Sequence, residues 1–270
     1  MRLIAHISDL HFGRHDPGIA DALVDEISDK HPDLVVLSGD LTQRARMNEF
    51  VQARRFLDRI AQPVLVVPGN HDIPLYNLAH RFFSPLRKFQ RHIPSGIGGN
   101  DWYSDHELAV LGLNTARGLT FKSGRVSLDQ MSLIRRTFAH IPDTAWRIVV
   151  THHPIASPHG EARIELAGRS VLALRAIADA GVHLLLSGHH HHPVSGHAST
   201  ELVLNNAILV VHAGTAVSTR TRDGEENSYN LIRLDGAHAS VETMKWRPDS
   251  GFQPIDRARY ELRAGHMEPE

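Results

Sequence analysis

Leu3-Ile4-Ala5-His6-Ile7-Ser8 running into Asp9-Leu10-His11 is the stretch from which the fold follows. It is a short apolar run that ends on a carboxylate and an imidazole. The same design returns four times. Leu34-Val35-Val36-Leu37-Ser38 leads into Gly39-Asp40, and Val64-Leu65-Val66-Val67-Pro68 into Gly69-Asn70-His71-Asp72. Ile148-Val149-Val150-Thr151 leads into His152-His153-Pro154, and Val182-His183-Leu184-Leu185-Leu186-Ser187 into Gly188-His189-His190-His191. Short runs rich in Val, Leu and Ile between helical patterns read as buried strands. In open α/β sheets the ligand crevice lies beyond the carboxyl ends of the strands. Five strands that each deliver Asp, Asn or His to that rim build one polar site, a metal centre with donors enough for two ions.

Between these runs the chain alternates strand and helix. Ile19, Leu23 and Ile27 form one face of a helix near 18–30, and Phe50, Leu57 and Ile60 one of a helix near 46–61. With strands at 2–8, 34–38 and 63–68 this is β-α-β-α-β, hence parallel strands. The pattern resumes with strands at 107–113, 146–151 and 182–187 and helices opening at the capping box Ser127-Leu128-Asp129-Gln130 and near 169. Beyond His192, runs at 201–204, 207–212, 228–234 and 240–246 read as strands. These elements make one domain over 1–249, and 250–270, polar and Pro-containing, is expected as a surface tail. Residues 73–100 interrupt the alternation with Tyr76, Phe82, Phe83 and Phe89 among Arg81, Arg87, Lys88 and Arg91. One or two short helices beside the site are expected there, as a lid or a homodimer contact. The rings could stack on a base, and Arg81 is the expected phosphate contact.

The 270 residues are 41% hydrophobic and 22% charged, the balance of an ordinary globular protein. The formal net charge of −1 gives no global field for nucleic acid or a membrane. The chain has no cysteine, which excludes disulfides, Cys-ligated zinc, Fe–S clusters and thiol catalysis. The opening residues enter a strand without a signal-peptide pattern, and no run reaches the ~18 apolar residues of a membrane span, so a cytoplasmic location is expected. The unusual number is His, at 21, and much of it sits at the strand ends.

Asp9 and His11, like His189 and His191, are two apart, so in extended backbone each pair shares a face. With Asp40, Asn70 and His152 the set holds four imidazoles, two carboxylates and an amide. One ion needs about four protein ligands, so seven donors suit two ions with a bridging carboxylate. Taken singly, each block also reads as a turn or cap; together and in this order they point to a site. His6 and His183 read as core histidines, and His153, His190 and His192 as lying behind or away from the ligand face.

These blocks resemble the calcineurin-like metallophosphoesterases, whose pattern is D-x-H, G-D, G-N-H-[DE], H and G-H-x-H. The resemblance implies a four-layer α/β/β/α sandwich of two mixed sheets flanked by helices. It implies one metal on Asp9, His11, Asp40 and His191, and a second on Asp40, Asn70, His152 and His189. Asp40 bridges, with a water or hydroxide between the ions, which would be Mn, Fe or Zn. His71 would meet the substrate and protonate the leaving group, with Asp72 placed to orient it; Asn70 and Arg81 would also face substrate. Where the protein phosphatases of the family carry G-D-x-V-D-R-G, this chain has Gly39-Asp40-Leu41-Thr42-Gln43-Arg44-Ala45, which disfavours that branch. Ile7-Ser8-Asp9-Leu10-His11-Phe12-Gly13 is similar to the bacterial class III cyclic nucleotide phosphodiesterases. The implied activity is hydrolysis of a small phosphodiester, 3′,5′-cyclic nucleotides being that branch's substrate. A nuclease, a broad phosphodiesterase or pyrophosphatase, and a non-catalytic scaffold on the same fold are the alternatives.

Overall fold

The computed structural model of the chain describes residues 1–75, 78–93, 99–118, 123–158, 164–197, 208–221, 224–263 and 266–270. The strand expected at 201–204 and the ring of Tyr76 lie outside these.

The first sheet is built on β1 (Arg2–Ile7), β2 (Leu34–Leu37) and β3 (Val64–Val66), which run parallel. The helix α1 (Pro17–Lys30) joins the first pair and α2 (Met47–Leu57) the second. Asp16 caps α1 by accepting from Ile19 N at 3.1 Å, and Pro17 follows at the first helical position, where its missing N–H costs nothing. Two short helices, α3 (Leu78–Phe83) and α4 (Arg87–His92), occupy the expected insert. The second sheet holds β4 (Asp101–Ser104), β5 (Leu108–Leu113), β6 (Trp146–Thr151), β7 (Leu184–His191), β8 (Val194–His197) and β9 (Leu209–Gly214) in the order β4-β5-β6-β7-β9-β8. Its helices are α5 (Leu128–Phe138), with the expected capping box at Ser127 and Gln130, and α6 (Ser170–Asp179). The chain then returns to the first sheet through β10 (Ser228–Asp235), antiparallel to β1, and β11 (His238–Arg247).

Residues 250–270 are not a tail. They form β12 (Gly251–Arg263) and β13 (His266–Pro269), which complete a seven-stranded sheet ordered β13-β12-β11-β10-β1-β2-β3. Phe252, Tyr260 and Met267 are buried, while Asp256, Arg257 and Arg263 hide the alternation by facing solvent. Pro254 is accommodated beside a register shift in the β11–β12 pairing, where the ladder is already interrupted.

Period-2 alternation sorts each strand between two layers. Ile4, Leu34, Val36, Val110, Ile148 and Leu186 meet in the core between the sheets. Ala5, Ile7, Val35 and Leu37 point the other way, against Leu23 and Ile27 of α1 and Phe50 of α2. Leu111, Val149 and Leu185 pack under Ile134 of α5 and Ile177 of α6. The result is the four-layer sandwich of two mixed sheets. Among the described residues no helix is long and apolar enough to cross a membrane.

The insert is only partly what its composition suggests. Phe89 is fully buried with its ring edge-on to Phe50, and Leu86 and Ile93 join the same core. Arg81 is 1% exposed and its Nη1 donates to the carbonyl of Pro74 at 3.1 Å. The expected phosphate contact is therefore a buried brace of its own loop, recruited to satisfy a carbonyl that water cannot reach.

Candidate metal centre

All seven expected donors meet at the carboxyl ends of β1, β2, β3, β6 and β7. The local backbone differs from the extended form the spacing suggests. Asp9 (φ 53°), His11 (φ 49°), Asp40 (φ 54°), His189 (φ 74°) and His191 (φ 64°) all take the left-handed conformation that non-glycine residues rarely adopt. Strain of about 1–3 kcal/mol per residue persists only where the surroundings over-determine it, and it gathers at functional sites. The paired residues converge because each strand has ended or lost register, not because it alternates. At Gly39, itself at φ 98°, a Cβ would come within 2.6 Å of the His152 ring. At Gly69 a Cβ would collide with the Asp40 carboxylate.

The donors fall in two groups that share Asp40. In the first, His11 Nε2 lies 3.5 Å from Asp9 Oδ1 and 3.9 Å from Asp40 Oδ2, and His191 Nε2 lies 3.6 Å from Asp9 Oδ1. In the second, His152 Nε2 lies 3.4 Å from Asp40 Oδ2, 3.2 Å from Asn70 Oδ1 and 3.2 Å from His189 Nδ1. Donors at about 2.0–2.2 Å from one ion stand at such separations from each other. The fit to metals has a second sign. Asp9 Oδ1 and both His11 nitrogens are buried without a hydrogen-bond partner, a costly state in a protein that needs no ion there.

Neighbouring groups aim the imidazoles. His152 Nδ1 donates to the carbonyl of Ser38 at 2.8 Å, and His191 Nδ1 is bonded to Thr215 Oγ1, so both present Nε2 inward. Ser8 Oγ donates to Asp9 Oδ2 at 2.6 Å, and His189 N donates to the same oxygen at 3.1 Å. The ring of His153 stands 4.7 Å from that of His189, its Nδ1 2.8 Å from Thr115 Oγ1. His190 reaches the Glu165 carbonyl at 3.3 Å with its ring edge-on to that of His189, and His192 pairs with Glu225 at 3.4 Å.

The electrostatics are those of a packed ion cluster. Burial would raise the Asp9 carboxyl, but His191, His11 and His152 outweigh it and hold the group well below the carboxylate range. Asp40 is likewise depressed against its burial, chiefly by His152 and His71. Burial opposes the charge of His152, yet Asp40 pushes it up to about 9. Burial, with the neighbouring His152 charge, lowers His189 to about 3.

His71 is half-buried with its ring edge-on to His11, centroids 4.9 Å apart. Its N donates to Asp40 Oδ1 at 2.8 Å, and its Nδ1 donates to the carbonyl of Gln43 at 2.7 Å. Asp72 does not orient it. That carboxylate is spent on Leu41 N, Thr42 N, Thr42 Oγ1 and Gly69 N, at 2.9–3.2 Å, and so ties the second and third blocks together. Burial, with the Asp40 charge, raises Asp72 to about 6. Gln43 stands where the protein phosphatases have an Asp, and here the backbone carbonyl holds the imidazole. Ser38, Gln43 and Thr215 escape a search restricted to metal-binding residue types. Thr215 directly follows β9, so the rule that strand ends build the rim finds it once hydroxyls are admitted.

The sequence profile of the calcineurin-like phosphoesterases matches residues 2–193. The chain belongs to the calcineurin-like phosphoesterase family. A glycerophosphodiester phosphodiesterase, GpdQ, of Enterobacter lignolyticus (strain SCF1) is 38% identical over 82 residues. That match spans 26% of this chain and 29% of the relative, so the chain covers less than a third of that enzyme's length. In fold the chain is similar to a dimetal phosphatase from Danio rerio, at a TM-score of 0.67 and 14% identity over 96% of this chain and 98% of that one. Purple acid phosphatase PPD1 from yellow lupin seeds gives 0.64 and 14%, over 95% of this chain and 53% of that one.

Proposed function

We propose that the chain is a phosphodiesterase that works with two metal ions, one on Asp9, His11, Asp40 and His191, the other on Asp40, Asn70, His152 and His189. The observation that carries this reading is the pair of donor groups sharing Asp40, with His71 beside them. When bound, two such ions supply Lewis acidity and lower the pKa of a water enough to attack phosphorus near neutral pH. The mixed nitrogen and oxygen donors suit Mn, Fe or Zn.

The protein's own part is positioning and proton transfer. Asp40 holds the two donor groups at one spacing and fixes the backbone of His71. Gln43 accepts from His71 Nδ1, which leaves Nε2 to face the site and give a proton to the leaving oxygen. Asn70 offers a neutral oxygen and adds no charge to repel the diester. Asp72 acts through the backbone amides of 41, 42 and 69 and is a positioning residue.

Cyclic nucleotides are the substrate class suggested by the Ile7–Gly13 block, and the match to a glycerophosphodiester phosphodiesterase sets glycerophosphodiesters beside them. Purified protein supplied with Mn should hydrolyse bis(p-nitrophenyl) phosphate faster than p-nitrophenyl phosphate. A comparison of 3′,5′-cyclic AMP, glycerophosphoethanolamine and single-stranded DNA then separates the classes. A preference for the monoester, or no turnover of any diester, contradicts the reading.

A further inference from the structure

Residues 73–100 contain no aspartate or glutamate, in a chain that carries 30 of them. The described part of this segment has two unlike sides. Its inner side is fixed, because Leu86, Phe89 and Ile93 are buried against α2 and its neighbours. Lys88 Nζ adds a bond to the carbonyl of Ala45 at 2.9 Å, tying α4 to the approach to α2. Its outer side is apolar and cationic. Phe83 is 90% exposed, Phe82 48% and, from the adjoining turn of α2, Met47 45%. Arg87 and Arg91, four apart on α4, are exposed, and among the described residues no acidic side chain pairs with either. A slot of about 160 Å³ lies between the two helices, lined by Met47, Pro74, Ser84 and the stems of Arg87, Lys88 and Arg91.

An aromatic side chain left in water on a rigid platform marks an interaction site. The charge decides the partner's sign, because this face offers cations and no counter-charge of its own. The rings decide its kind. Phenylalanine has no polar handle, and the two rings are consecutive at the end of α3 rather than spaced along a groove that would track a nucleic-acid backbone. Apolar rings beside long cationic stems suit an interface where hydrocarbon lies beneath a layer of phosphate. We propose that Phe82, Phe83 and Met47, flanked by Arg87 and Arg91, dock this protein reversibly on an anionic phospholipid surface.

The full chain should co-sediment with phosphatidylcholine vesicles that contain phosphatidylglycerol, and at least about tenfold less with phosphatidylcholine alone. Raising the salt should weaken the binding, since exposed charges are screened. Phe83→Ser should lower the partition coefficient about tenfold, and Arg87→Glu with Arg91→Glu by at least about as much. Both variants should keep the parent's melting temperature, because these side chains contribute nothing to the core. Failure of the parent to bind anionic vesicles, or equal binding by Phe83→Ser, overturns the proposal. So does sedimentation equilibrium showing a dimer that Phe83→Ser dissolves while vesicles are ignored, which makes the patch a self-contact. Binding of a single-stranded oligonucleotide in place of vesicles overturns it as well.

Discussion

Asp40 stands with Oδ2 3.4 Å from His152 Nε2 and 3.9 Å from His11 Nε2, while Oδ1 accepts from the backbone of His71. Among the described donors Asp40 thus touches His11, His152 and the backbone of His71 together. Asp40→Ala should therefore lose both ions and several orders of magnitude in turnover, whereas Asn70→Ala, which removes a neutral ligand of one group, should lose less. Metal analysis of the two variants beside their rates checks this ordering. His71→Ala should keep its metals, since the ring is held by the Gln43 carbonyl and belongs to neither donor group. Its kcat should fall by about 10² to 10⁴, with a smaller defect for p-nitrophenol, a leaving group that needs little protonation. An equal defect across leaving groups would reassign the imidazole to phosphate binding.

The carboxyl-terminal strands show what an element adds beyond its residues. Tyr260 of β12 is 4% exposed in the core between the sheets, its hydroxyl 3.1 Å from Ser195 Oγ. Tyr260→Ala should destabilise the fold by about 3–5 kcal/mol, the usual cost of deleting a buried aromatic ring, as read by denaturant unfolding. A change under about 1 kcal/mol would make the strand peripheral. The strands that carry donors were legible because each is a mostly apolar run closed by a metal-binding residue. β12 was not, because one face is charged, Pro254 interrupts it, and its partner β11 is set by sheet order rather than by any local pattern. For the same reason the i, i+2 argument rested on an extended backbone that Asp9, His11, His189 and His191 do not adopt. Left-handed residues at Asp9 and His191 are imposed by the loops around them, and no local propensity announces them. Arg81 and Asp72 were misread alike, since charged residues near a site are as readily consumed by buried backbone groups as by substrate.

At the scale of the whole molecule, buried histidines outside the donor set contribute to the response to acid. Burial, with the His212 charge, lowers His6 to about 3. Burial, with Arg147, lowers His183 to about 4, and burial also lowers His212 to about 4. Each binds its proton more weakly in the folded chain than at the unfolded value of 6.5. Their stability contribution is thus complete above pH 6.5 and is lost as pH falls toward 4, where the unfolded chain takes up protons first. For His183 alone the loss is at most about 3.5 kcal/mol. His183→Asn retains an acceptor for Arg147 N and should flatten the fall of unfolding free energy over that range. An unchanged slope would place the acid response elsewhere.

The shared carboxylate between two donor groups is the feature on which the whole reading turns, and it can be counted. Metal content and bis(p-nitrophenyl) phosphate turnover should be measured on one sample during stepwise Mn addition to chelator-treated protein. Turnover should appear only as the content approaches two ions per chain, and it should vanish again on chelation. Full turnover with one ion per chain, or with none, would contradict the two-metal centre.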